Sequence, residues 1–360
     1  MYPQEIYAAL PQPTLIQTIE KRCDSIAPLP EADEGFVTSA SENDRVQRWK
    51  LQDNNTFQVS QEIANVGEPS PVMASADGNF IAVELGQSVP ISIYKRDSND
   101  QFVWRQDIFT HGDSTHSKVD LAISSRTLVL SYAKRDHEIG YLEIFLWNKK
   151  NDRFEYTQTI EVNNQRTRNI RINGDGDRFI VNRTHTIEMW SLNHNSGLYE
   201  LKWQTALNNP SFWVPMTITP DGAFIAWKDN ETHIVIGSVG SQDVVTRVQD
   251  IDLAQAASHI RFSSNSPRLA ENAISGNQRL AINAISGVQI WENTNDTFKL
   301  ILTIPVMALE TIFIGENYLA TSSGPNLEIW QLYTPSLDDV WDYILNYSDI
   351  PALEDITPEQ

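Results

Sequence analysis

The chain has 360 residues, with 27 Lys and Arg against 47 Asp and Glu, a formal net charge of −20. That balance argues against a grip on a nucleic-acid backbone, which needs clustered cations to displace counterions. The single cysteine, Cys23, excludes an intrachain disulfide, and the first twenty residues hold no apolar run of the length a secretory signal or spanning helix requires, which points to a cytoplasmic chain.

Residues 1–12 read as an N-terminal extension. The segment that follows, PTLIQTIE at 13–20, is one copy of a recurring phrase: TFQVSQEI at 56–63, QFVWRQDI at 101–108, RFEYTQTI at 153–160, DVVTRVQDI at 243–251 and TFKLILTI at 297–304. The copies alternate with β-rich segments that end on an anchor. The anchors are Trp49, Tyr94, Trp147, Trp190, Gly237, Trp291 and Trp330, at intervals of 39 to 54 residues. A period of about 40–50 residues with several short strands is that of propeller blades, whereas helical repeats would show apolar residues at 3.6-residue spacing. Seven anchors predict an all-β, seven-bladed β-propeller over residues 13–334.

One period shows how a blade is assembled. PVMAS (71–75) gives a first strand, Ala76-Asp77-Gly78-Asn79 a turn, FIAVEL (80–85) a second strand, VPISIY (89–94) a third, and QFVWRQDI a fourth. Asp followed by Gly suits the turn because the carboxylate bonds its own backbone and glycine accepts positive φ. The turn recurs at Asp175-Gly176-Asp177 and at Asp221-Gly222, so Asp175 and Asp177 read as turn residues and not as part of a calcium loop. Trp330 has no fourth strand after it. The copy at 13–20 supplies that strand, so the N-terminus is expected to close the ring and remove its open edge.

The elements SADGNFIAVE, TPDGAFIAWK and EADEGFVTSASENDRVQRWKL, with the Trp anchors, resemble the WD-repeat family of propellers over roughly residues 13–333. The resemblance implies a partner-binding scaffold with no cofactor. No anchor Trp is followed by Asp, and only Thr110-His111 stands where that family has a Gly-His pair, so its His and Asp hydrogen-bonded set is absent. The blades are expected to rely more on apolar packing.

Several segments carry candidate chemistry. His111, Asp113 and His116 share one loop and offer three groups to a metal, although a loop this short more often spends Asp and Ser on its own turns. Gln165 to Arg171 is the densest basic stretch; Arg171, inside a strand, is expected to pair with a neighbouring blade, leaving Arg166 and Arg168 for solvent or an acidic partner. Phe212 and Trp213 fall in a connection between blades, where aromatic side chains make good interface anchors. RLAENAISGNQ at 268–278 is followed at once by RLAINAISGVQ at 279–289, a duplication within blade six that adds one short strand or an edge loop. After Pro335, Ser336 caps an expected helix with an apolar stripe that includes Trp341, and residues 335–360 form an acidic tail.

The signatures H-E-x-x-H, C-x-x-C, G-x-x-x-x-G-K-[ST] and G-x-S-x-G are all missing. The chain therefore reads as a non-catalytic scaffold, monomeric by itself, that binds proteins through Arg166, Arg168, Phe212, Trp213 and Trp341, within a multiprotein signalling complex. The competing reading is a propeller hydrolase or lyase whose site lies in the central funnel and uses the His111–His116 loop.

Overall fold

The computed structural model describes residues 13–30, 35–40, 45–65, 71–84, 90–109, 116–134, 140–162, 168–183, 185–208, 214–263, 278–294, 297–315, 317–323 and 325–332. Every regular element among them is a β-strand, and the strands form seven four-stranded antiparallel sheets. Blade one comprises Ser25–Pro28, Gly35–Ala40, Arg45–Leu51 and Phe57–Asn65; blade two Val72–Ala74, Phe80–Glu84, Ile91–Arg96 and Phe102–Ile108; blade three His116–Ile123, Thr127–Lys134, Gly140–Asn148 and Arg153–Val162. Blade four comprises Arg168–Ile172, Arg178–Arg183, Thr186–Asn193 and Leu198–Ala206; blade five Met216–Ile218, Phe224–Asn230, His233–Val239 and Val245–Asp252; blade six Ala257–Phe262, Arg279–Ala284, Gly287–Thr294 and Thr297–Ile304. Blade seven takes Glu310–Ile314, Tyr318–Ser322 and Leu327–Gln331 from the end of the chain and Thr14–Ile19 from its start, with Ile19 opposite Leu327 and Thr14 opposite Gln331. The first strands of neighbouring blades touch all the way round, blade seven against blade one included, so the ring is closed. The N-terminal extension and the expected C-terminal helix lie outside the described residues.

Second strands are covered on both faces: Phe80–Glu84 and Gly35–Ala40 are buried throughout, Thr38, Ser39 and Glu84 included. Fourth strands are half-exposed and alternate. The core is divided into seven apolar clusters, each shared by two adjacent blades. Phe36, Trp49 and Phe57 of blade one, for example, meet Tyr318, Leu327 and Ile329 of blade seven. At the Asp-Gly turns, Gly78, Gly176 and Gly222 have φ of 68°, 69° and 71°. A Cβ on Gly176 would also stand 2.0 Å from Ser124 Oγ in blade three, so glycine is required there twice over. Asp177 accepts a bond from Asn173 Nδ2 at 2.6 Å within the same turn, a structural role for the Asp-Gly-Asp triplet.

One expectation is corrected. In blade three the anchor is Phe145, not Trp147: Phe145 faces Leu128 directly after a bulge, as Trp190 faces Phe179 and Tyr94 faces Ile81. Trp147, two residues past the anchor, packs instead across the blade interface, 4.7 Å from the ring of Phe80 and 4.8 Å from Lys95 Nζ. In blade six the second copy of the duplication supplies the second strand, Arg279–Ala284, of the four described. Residues 268–277 of the first copy lie outside the described residues.

Polar links join the blades in addition to the apolar packing. The glutamine of the recurring phrase in one fourth strand clamps the backbone of an aromatic residue in the fourth strand of the next blade, with Oε1 accepting the N–H and Nε2 donating to the C=O. Gln17 holds Phe57, Gln61 holds Phe102, Gln106 holds Phe154, Gln158 holds Tyr199 and Gln249 holds Phe298, all at 2.6 to 3.0 Å. Two interfaces lack the clamp. Trp203 occupies the equivalent place in blade four and packs 5.6 Å from Trp227 of blade five. Leu302 occupies it in blade six, where the next outer strand presents Pro13, which has no N–H to donate.

A second set of polar links uses the turn before the fourth strand. Asp100, at φ 63°, receives Arg48 Nη2 from blade one at 3.1 Å and Lys50 Nζ at 2.6 Å, besides Arg96 of its own blade. Asp152 receives Lys95 and Arg105 of blade two, and Asp243 receives Arg178 Nε of blade four at 2.7 Å. Apolar packing is therefore joined by directional links at most interfaces.

Candidate functional site

The expected site residues lie largely outside the described parts of the chain: Arg166, Phe212, Trp213, Trp341, His111 and Asp113 all do. His116 opens the first strand of blade three and Arg168 the first strand of blade four. Among the described residues no group of three or more His, Cys, Asp and Glu side chains is placed to hold a metal ion.

Two features stand out among the described residues. The first is on the face where fourth strands connect to the next blade and second strands turn into third. There Ile285 is 62 % exposed in the turn of blade six, and Met307 and Leu309 are 70 % and 63 % exposed in the connection from blade six to blade seven. The turn and the connection abut, since a Cβ on Gly287 would lie 2.4 Å from Ile304 O. Phe109, 69 % exposed at the end of blade two, is on the same face.

The second is the central channel. Its walls are the first strands, and it opens as a cavity of about 140 Å³ toward the opposite face, where first strands turn into second. Arg171 of blade four, Thr217 of blade five and Arg261 of blade six line it, each two residues before the residue that begins its turn (Asn173, Thr219 and Ser263). Two residues earlier on three of the seven first strands stand Asp120, His259 and Glu310. Arg261 Nη2 lies 3.5 Å from Glu310 Oε1, and Glu310 Oε2 accepts the N–H of Ile26 at 3.1 Å, tying blades six, seven and one. Arg171 Nη1 donates to Ile170 O at 2.8 Å, while its Nε is buried without an acceptor. Lys228 Nζ donates to Ala257 O at 3.0 Å.

Burial sets the protonation of this cluster. It lowers the Arg171 guanidinium to about 9, with Arg261 adding to the effect, and it lowers the His259 imidazole to about 4, helped by Arg261, Arg171 and Lys228. The same burial raises Asp120 and Glu310 above the usual carboxylate range against the pull of the arginines. His259 is therefore neutral near pH 7. The sequence singled out Arg171 but not its companions, because they are spread over blades three, six and seven and only the ring brings them together.

Fold and channel define a seven-bladed β-propeller closed by its N-terminal strand. No family model matches the sequence, and neither does any curated protein. Among solved structures, the chain is similar to a chain in the crystal structure of the mitotic checkpoint complex, at 15 % identity and a TM-score of 0.61, with 91 % of this chain and 98 % of that one covered. It is also similar to a protein from Lactobacillus plantarum, at 11 % identity and a TM-score of 0.55, covering 79 % and 85 %. At such identities the likeness is one of fold.

Proposed function

We propose that this protein is a non-catalytic interaction scaffold in a cytoplasmic multiprotein complex, and that its partner docks on the connection face beside blades six and seven. The observation that carries this reading is the exposure of Ile285, Met307 and Leu309 together on two abutting segments. Large apolar side chains gathered on one sector of a surface mark interaction sites, whereas scattered ones do not. Arg166, Phe212 and Trp213, which the sequence assigns to connections between blades, and Arg168, which opens a first strand, are further contacts in this reading, as is the acidic tail with Trp341. The structural likeness to a chain that is found in a multiprotein complex agrees with this use of the fold.

The test compares proteins co-purifying with the wild-type chain and with Ile285→Glu/Met307→Glu, after confirming equal Tm. Specific partners are expected to fall at least about tenfold in yield, the loss of about 1.4 kcal/mol that two apolar contacts readily supply. Unchanged partners would remove this face from the reading. Trp213→Ala and truncation at Pro335 then apportion the remaining contacts.

A further inference from the structure

We propose that the central channel binds a small oxyanion, a phosphate or short carboxylate, between Arg171 and Arg261. The two guanidinium groups occupy equivalent places on blades four and six, with Thr217 of the intervening blade between them. Thr217 Oγ1 accepts the Phe262 N–H at 3.2 Å, which leaves its hydroxyl proton available to an acceptor in the cavity.

Charge counting favours an anion. Arg171, Arg261 and Lys228 bring three cations to the cluster, against the two carboxylates Asp120 and Glu310. Burial pushes Asp120 and Glu310 toward their neutral forms and acts the same way on Arg171 and Lys228, so the preference for an anion rests on the two guanidinium groups that line the cavity, where neither carboxylate does. This occurs inside a chain of net charge −20. Arg171 and Arg261 also repel each other, and an anion between them converts that repulsion into two attractions. Arg171 Nε supplies a buried donor with nothing to bind, the kind of group that native proteins leave unpaired only rarely.

Size narrows the ligand. An apolar cavity of about 150 Å³ holds one benzene molecule, and this channel offers about 140 Å³, room for phosphate or for a three-carbon dicarboxylate. Its remaining walls include Leu29, Met73, Ile123, Ile218 and Phe313, which lower the local dielectric and strengthen each charged contact. The cavity opens away from the connection face, so an anion and a protein partner do not compete for the same surface.

The experiment is calorimetric and thermal-shift titration of the full chain with inorganic phosphate and with malonate, chloride at matched ionic strength serving as control. A saturable response to either oxyanion and none to chloride is expected; phosphate alone would specify a phosphate site, malonate alone a carboxylate site, and both a general oxyanion site. Arg171→Met is expected to raise Kd at least about tenfold. Because a buried substitution can compromise folding, Arg261→Gln, on a different blade, is run in parallel with the same expectation. No saturable response at millimolar oxyanion, or a Kd unchanged in a folded variant, overturns the proposal.

Discussion

Replacing Gln106 with Leu isolates one blade clamp. Gln106 accepts the Phe154 N–H at 2.8 Å and donates to the Phe154 C=O at 2.9 Å, so the substitution removes two hydrogen bonds and keeps most of the apolar bulk. Each such bond contributes about 1 kcal/mol net, giving a loss of about 2 kcal/mol. Solvent at the outer strand can rehydrate the Phe154 groups in part, which holds the cost near that value and below the full penalty of two buried orphans. With an unfolding entropy of about 2.1 cal/mol/K per residue, a 360-residue chain loses roughly 1.3 °C of Tm per kcal/mol, so the midpoint should fall by about 3 °C. Calorimetry at fixed pH reads this directly. The reciprocal change, Leu302→Gln, should give no gain, since Pro13 offers no N–H. A Gln106→Leu protein as stable as wild type, or a Leu302→Gln protein stabilised by a similar amount, would refute the clamp.

Two further outcomes are expected. Asp100→Asn leaves the fully buried Arg48 without its carboxylate; Asp100 is 37 % exposed, so solvent limits the loss to about 1–2 kcal/mol, read by urea unfolding. Its carboxyl is held below the ordinary 3.8 in the folded chain, so its contribution is present above that value and disappears as the pH falls further. His259 moves from 6.5 in the unfolded chain to about 4 when folded, so the unfolded state binds the proton first and stability falls as pH drops from 6.5 toward 4, by at most about 3 kcal/mol from this group. His259→Gln should flatten that slope in a series of denaturation curves, and an unchanged slope would assign it to other groups.

Much of the architecture was legible because propeller blades repeat their turn chemistry. Asp77-Gly78 and Asp221-Gly222 fix where a second strand starts, and the orphan phrase at 13–20 could only complete the blade that lacked a fourth strand. Trp147 misled because residue type was weighed above register: an aromatic two residues past the anchor position looks the same in a single sequence, and only the bulge and the Leu128 pairing identify Phe145. The five glutamines were visible as a repeated letter. Their role was not, because their targets are backbone groups 40 to 49 residues away, and a backbone group leaves no side-chain signature. The channel cluster stayed hidden for a related reason. Asp120, Arg171, His259, Arg261 and Glu310 lie on four different blades, and their proximity is created by ring closure alone.

Joining Thr14–Ile19 to Leu327–Gln331 also sets a clock on synthesis. Roughly 300 residues must be polymerised between the two partners, which at about 5–20 residues per second takes some 15 to 60 s. Throughout that interval the nascent segment has no sheet to join, and the incomplete arc of blades ends in an uncovered flank, an invitation to pair with another chain emerging nearby. A ribosome that slows over the last blade lengthens this exposed interval, during which the early strand depends on whatever shields it.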